Sequence, residues 1–160
     1  MTSFAASNIR KLQQAVGPNL TLIVPAVRAV ITDQDKGILL IRRSDNGTWA
    51  LPAGGMELEE SAWDCLLREV REETGLHVLA ATPIALYSEP RFTFVNAFGN
   101  RRQMFALVFQ VDTYQGDLIR ETEETVDARF FPFDALPPLL VHHIETIQDW
   151  RSYDGRFILK

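Results

Sequence analysis

The segment that most constrains this chain is GGMELEESAWDCLLREVREETGL, residues 54–76, where a glycine-rich loop runs into a helix carrying several glutamates. Apolar spacing predicts a helix over residues 61–74, stopped by Gly75 in a left-handed cap. At about 100° per residue, Glu69, Glu72 and Glu73 fall within roughly 100° of one another. Trp63, Leu66, Leu67, Val70 and Thr74 form an adjoining stripe suited to docking on a sheet, and Ser61, Asp64, Arg68 and Arg71 take the remaining arc. Three carboxylates on one face repel one another, a cost that a helix with only a structural task has no reason to concentrate. Two readings follow. One is a solvated acidic face paired with Arg68 and Arg71. The other is a site for a hard divalent cation, Mg²⁺ or Mn²⁺, which binds carboxylate oxygens and keeps positions open for water and phosphate. The small residues Ala62 and Cys65 on the same side leave room for the second. Glu57, Glu59 and Glu60 come just before the helix, where negative charge is favourable.

Around this segment the chain alternates strand and helix signals. Residues 7–15 space Ile9, Leu12 and Val16 as a short amphipathic helix, closed by Gly17-Pro18. Residues 20–32 (LTLIVPAVRAVIT) read as a strand disturbed at Pro25, and residues 37–43 (GILLIRR) as its returning partner across the turn DQDKG, so a hairpin is expected. Further strands are expected over 76–87, interrupted by Pro83, and over 103–111 and 128–131; a last helix is expected over 139–150. The mixture of hairpins and helices predicts an α+β (mixed α/β) layered fold, a sheet sandwiched by helices. Two parts are expected: a helical extension, residues 1–18, and a single domain, residues 19–160.

Composition narrows the function classes. At 160 residues the chain is one domain, long enough to bury roughly 70% of its unfolded surface. A net charge of −5 argues against a global nucleic-acid surface, and the lone Cys65 excludes an internal disulfide framework or a cysteine-rich zinc site. No apolar run approaches the length of about 20 residues that spans a bilayer, and the first residues lack a signal-peptide core, so a cytoplasmic protein is expected.

Gly54, five residues, Glu60, seven residues, Arg68-Glu69-Val70, one residue, Glu72-Glu73, one residue and Gly75-Leu76 together resemble the complete Nudix box, with every fixed position filled. The strand GILLIRR, the lead-in Trp49-Ala50-Leu51-Pro52 and the segment ARFFPFDALP are also similar to Nudix-domain features. One departure is Glu59, where many members have glycine. The resemblance implies a Nudix-like α/β/α sandwich with a mixed sheet. It also implies Mg²⁺- or Mn²⁺-dependent hydrolysis of a nucleoside diphosphate linked to another group. Glu69, Glu72 and Glu73 match the metal-bearing positions, and the carbonyl of Gly54 or its neighbour often adds a ligand. Arg68 matches the arginine that orients these glutamates, and Glu60 a partner that holds the geometry. In the family the general base is sometimes a box glutamate and sometimes a distant loop acid. The candidates here are Glu69, Glu121, Glu123 and Glu124, and Glu124 best matches the distant position.

Substrate contacts are expected from Arg42, Trp49 and Arg91. Trp49, Tyr87, Phe92 and Phe94 could each stack on a base, with core packing the stronger reading of each; Arg43, Arg101 and Arg102 could also meet phosphate or ribose. Downstream spacings match neither the proline of ADP-ribose hydrolases nor the tyrosine of dinucleoside polyphosphate hydrolases. ADP-ribose or a related nucleotide sugar is the first expectation. A MutT-like (d)NTP pyrophosphohydrolase and a nucleotide-sensing domain without activity are alternatives, and a decapping-type enzyme is disfavoured by the negative charge. The amphipathic N-terminal helix and the apolar C-terminal segment could form a homodimer interface.

Overall fold

The computed structural model describes residues 8–96 and 99–160. Helix α1 covers Asn8–Val16; the expected start at Ser7 lies outside the described residues. Strand β1 (Leu22–Val30) leads through β2 (Thr32–Asp33) into β3 (Gly37–Arg43), and β4 (Trp49–Ala50) and β5 (Ala53–Gly55) precede α2 (Ala62–Thr74). The second half contains β6 (His77–Tyr87), β7 (Thr93–Val95), β8 (Arg101–Gln115), β9 (Thr125–Phe131), α3 (Val141–Arg151) and β10 (Ile158–Leu159). β10 and β7 were not expected from the sequence. Both are short, and their pairing with β6 and β8 defines them more than their composition does.

Two sheets result. The larger is mixed, in the order β10-β6-β8-β1-β5, with β7 also paired to β8; β1 runs parallel to β8 and β10 parallel to β6. The smaller is antiparallel, with β3 between β4 and β9, and β2 on its first residues. The expected hairpin of β1 with β3 is therefore corrected. Both edges of β1 are taken, by β8 and β5, so the returning strand has no free edge to join. Only Thr32 and Asp33 pair back onto β3, after the chain turns from one sheet to the other at the fully buried Ile31. Pro25 does not break β1. Its carbonyl accepts from Met56 N at 3.0 Å just beyond the last β5 pair, so the missing N–H falls where no ladder bond is needed.

Strand β3 explains how the two sheets share a core. Residues 37–41 are all buried, as an apolar run covered on both faces must be. Ile38 and Leu40 pack with Leu51, Tyr87, Val108 and Ile147, on the side closed by α3. Leu39 packs instead with Val27, Leu66, Val70 and Phe109, under α2. The helices thus cover opposite sides, and the glutamate-bearing helix is held by the second cluster. The sequence stripe on α2 holds for Leu66, Val70 and Thr74, which are fully buried. Trp63 does not dock as expected: it is 38% exposed, in the first turn of the helix, and meets Phe109 edge-on.

α1 is not a detached extension. Asn8 N donates to Glu57 Oε2 at 2.8 Å, and the buried Ile9 lies against Gly55, where a Cβ would come within 2.4 Å of Ile9 Cδ1.

Candidate active site

Local chemistry fixes α2 at both ends. Ser61 Oγ accepts from Asp64 N and Asp64 Oδ2 accepts from Ser61 N, each at 3.1 Å, so two otherwise orphaned donors are satisfied. At the other end Gly75 adopts φ 75° and its N–H reaches Arg71 O, the left-handed cap that glycine adopts without strain. Between these caps Glu69 and Glu73 face the β5 loop and are nearly enclosed, at 7% and 3% exposure. Gly54 makes that approach possible, since a Cβ there would stand 1.9 Å from the Glu69 carboxyl carbon. Glu73 Oε2 accepts from Ala53 N at 2.9 Å.

Arg68 is the hub of the arrangement. Its Nη1 donates to Glu69 Oε1 at 2.6 Å and to Glu72 Oε2 at 3.4 Å, while Nε and Nη2 grip Glu60 at 3.0 and 2.7 Å. Nη2 also donates to Gly55 O at 3.0 Å, and Glu60 Oε1 accepts from Glu57 N at 2.6 Å. Helix and loop are thereby locked by charge-assisted bonds. Burial alone would raise the Glu60 carboxyl; the Arg68 bonds and the Glu57 amide outweigh it and hold the group below the usual range.

The structure brings two of the three helical glutamates together with a loop acid. Carboxylate oxygens of Glu69, Glu73 and Glu124 lie within 4.8 Å of one another, the last supplied by the loop before β9. Glu72 borders the same cavity from the helix rim, and Gly54 lines it as well. Burial pushes the Glu69 carboxyl up to about 7 against the pull of Arg68. Burial, then the Glu69 charge, raise Glu73 well above the carboxylate range. Three carboxylates drawn together in this way repel one another; Arg68 on Glu69 and the charge of Arg43 offset this only in part, which leaves a deficit of positive charge. An all-oxygen donor set with that deficit fits a hard divalent ion and does not fit a softer metal. Cys65 is fully buried, its thiol pushed up first by burial and then by Glu69, which leaves it a small filler.

The cavity beside these acids has a volume of about 590 Å³. Of the three expected substrate contacts, none borders it. Arg42 points away by strand alternation and donates to Gly47 O at 3.0 Å, and its neighbour Arg43 lines the cavity, gripping Asp45 at 2.9 and 2.8 Å. Trp49 packs edge-on to Phe131 at 4.8 Å. Arg91 is held at the surface by Glu145, at 2.9 and 2.8 Å, and by Glu89. The cavity wall is instead built by Arg28 and Arg102 from β1 and β8, Phe94 from β7, and His142 and His143 from α3. Phe94 stacks on His142, with ring centroids 6.3 Å apart. One sequence signal could have found Arg28: it is the only charged residue within the apolar run of β1. Phe94 and Arg102 carried no signal that set them apart from other aromatics and arginines.

With this geometry established, known proteins resemble the chain on both sequence and shape. The NUDIX domain family matches residues 22–157. An ADP-ribose pyrophosphatase of Methanocaldococcus jannaschii is 32% identical over 126 residues, covering 77% of this chain and 70% of that protein. An NAD-capped RNA hydrolase of Pseudomonas aeruginosa is 32% identical over 117 residues, 72% of this chain but 38% of that longer protein. The crystal structure of an ADP-ribose pyrophosphatase from Streptococcus suis superposes with a TM-score of 0.62 at 24% identity, covering 87% of this chain and 100% of that one. The box loop, the helix it feeds and the sheets that hold them are thus shared across most of the chain, which belongs to the Nudix hydrolase family.

Proposed function

We propose that this chain hydrolyses a pyrophosphate bond in a nucleoside diphosphate linked to another group, with Mg²⁺ or Mn²⁺, and that ADP-ribose or a nucleotide sugar is its substrate. The observation that carries the reading is the convergence of Glu69, Glu73 and Glu124 at a cavity of nucleotide size. The names of the archaeal and streptococcal relatives support the substrate class.

Glu69, Glu73 and Glu124, with Glu72 and the Gly54 carbonyl at the rim, would hold the ion. When bound, such an ion neutralises phosphate charge and lowers the pKa of water. Arg68 fixes Glu69 and Glu72 so that little reorganisation is needed at the moment of reaction. Arg43 meets the phosphates from across the site. A Glu124 carboxylate oxygen takes the proton of the attacking water, with Glu69 the alternative base. Water adds to phosphorus, the bridging P–O bond breaks, and the leaving phosphate carries the electron pair away. The exposed side of Phe94 receives the base. Among the described residues no helix is long and apolar enough to cross a membrane, and we place the activity in the cytoplasm.

The test is release of nucleoside monophosphate from nucleotide sugars, dinucleotides, dNTPs and capped RNA, with Mg²⁺ and then Mn²⁺, beside Glu73→Gln. We expect turnover of ADP-ribose or a nucleotide sugar that falls at least about a thousandfold in the variant, or about 4 kcal/mol of barrier. Full activity of a folded Glu73→Gln protein would overturn the reading. A preference for dNTPs or capped RNA would move the substrate and leave the chemistry in place.

A further inference from the structure

The cavity has a second charged region that the glutamates do not explain. Arg28 is 3% exposed, and its Nη1 is anchored to Thr146 Oγ1 at 2.6 Å and to His142 O at 3.2 Å. Its Nη2 meets only Met104 Sδ, at 3.4 Å, and its enclosed Nε has no acceptor. A thioether is a weak acceptor. The Nε and Nη2 edge, the side-on fork that matches two oxygens of one anion, is therefore left without an oxygen. Arg102, two residues along β8 from Met104, shows the same lack: its Nε and Nη2 are enclosed and have no acceptor. Among the described residues neither guanidinium pairs with a carboxylate, whereas Arg43 and Arg68 at the glutamate end both do. Burial holds Arg28 down to about 10 against the opposing effect of Tyr87, and burial and Arg43 lower Arg102. Two guanidinium edges shut off from water with no counter-charge are costly to maintain unless something negative arrives.

We propose that Arg28 and Arg102 form a second anion subsite on the sheet wall of the cavity, which takes a phosphate or carboxylate of the substrate that does not react. The inference rests on the reading of the glutamate end as the hydrolytic centre, and it sharpens the substrate class. Within the class proposed above, it favours a nucleotide sugar that carries one anionic group beyond its pyrophosphate over ADP-ribose, which carries none. The side-chain hydrogen bonds of Arg28 go to α3 and β8, and none of them reaches a box glutamate. Met104, an unbranched and adaptable side chain, is the group that moves aside for the incoming oxygen.

Binding is measured first, by calorimetry with Mg²⁺, using ligands that have no pyrophosphate bond to cleave. Adenosine 5′-monophosphate is compared with adenosine 2′,5′- and 3′,5′-bisphosphate. Hydrolysis of UDP-glucose against UDP-glucuronate then separates a carboxylate from a phosphate as the second anion. The intact protein is expected to favour at least one doubly anionic ligand over its partner by about tenfold or more, the range of charge-assisted hydrogen bonds. Arg102→Gln and Arg28→Gln are expected to bring that ratio close to one. Equal handling of both members of every pair by the intact protein overturns the proposal. So does an equal loss on both members in the variants, which would assign the arginines to the reacting diphosphate. If Arg28→Gln fails to fold, Arg102→Gln, at a partly exposed position, decides alone. A bisphosphate preference without hydrolysis of any compound would keep the subsite and remove the hydrolytic reading.

Discussion

The two ends of the cavity are built in opposite ways. The acidic end is made mostly from consecutive chain, residues 54–76, with Arg43 and Glu124 the distant contributions. The arginine end is assembled from β1, β7, β8 and α3, residues 28 to 146, elements spread over most of the chain. At the acidic end Arg68 bonds Glu60, Glu69 and Glu72, and Glu73 accepts from a loop amide; at the other, guanidinium edges are enclosed and left without an acceptor. A constellation that must hold one geometry is written locally, where helix periodicity and caps set it. A wall that tunes what enters is written across the fold.

The sharpest way to break that contrast is Gly54→Ala. The added methyl would collide with the Glu69 carboxyl at 1.9 Å, so Glu69 must move. Steady-state kinetics are expected to show kcat/KM lower by about a thousandfold, near 4 kcal/mol, with the circular dichroism of the fold retained. Activity within about tenfold of the intact protein would show that the acidic end tolerates disorder.

Divalent metal should separate the two ends next. Because the acids repel one another, Mg²⁺ at 100 times its Kd is expected to add about 2.7 kcal/mol of stability. For a chain of this size that raises Tm by roughly 5–10 °C. The shift should vanish in Glu73→Gln and persist in Arg102→Gln, as scanning calorimetry can show.

Protons act with opposite signs at the two ends. Burial pushes His142 down to about 4 and holds His143 well below its ordinary value, with Arg28 adding to both. The unfolded chain therefore takes up protons that the folded chain refuses. Stability contributed by these imidazoles is complete above about pH 6.5 and is lost as pH falls toward 4. At the acidic end the raised carboxyls give the reverse: without metal, stability grows as pH falls from about 7. With Mg²⁺ saturating, urea unfolding is expected to lose about 1–2 kcal/mol between pH 7 and pH 5, and less in His142→Gln.

The smallest effect concerns the one departure from the family pattern. Glu59 has φ 65°, a left-handed conformation that glycine adopts freely and glutamate does not. Glu59→Gly is expected to raise stability by up to about 1 kcal/mol in chemical denaturation, without altering activity.

Legibility followed the same division. α2 and its glycine cap could be read from spacing, and the roles of Arg68 and Glu60 from the resemblance, because each interaction closes within a few turns of chain. Which strand joins which sheet could not, since β1 and β3 look like hairpin partners until the competition for β1's edges is known. The choice of Arg42 over Arg43 failed for a related reason. A run of two arginines at a strand end has no apolar alternation to say which one faces inward. Arg91 and Trp49 carried residue type but no position, and their partners Glu145 and Phe131 lie far along the chain.

The short strand β10 has a consequence for the molecule in a crowded solution. It covers the outer edge of β6: Lys160 N donates to Leu86 O, Ser88 N donates to Lys160 O, and Lys160 Nζ bridges Glu145 and Asp149 on α3. Without this short latch, the long strand His77–Tyr87 would present unpaired amides near its end, a template for other chains to add to. Residues 158–160 therefore close the last part of that edge, and trimming them is expected to open it to other chains before it touches the chemistry.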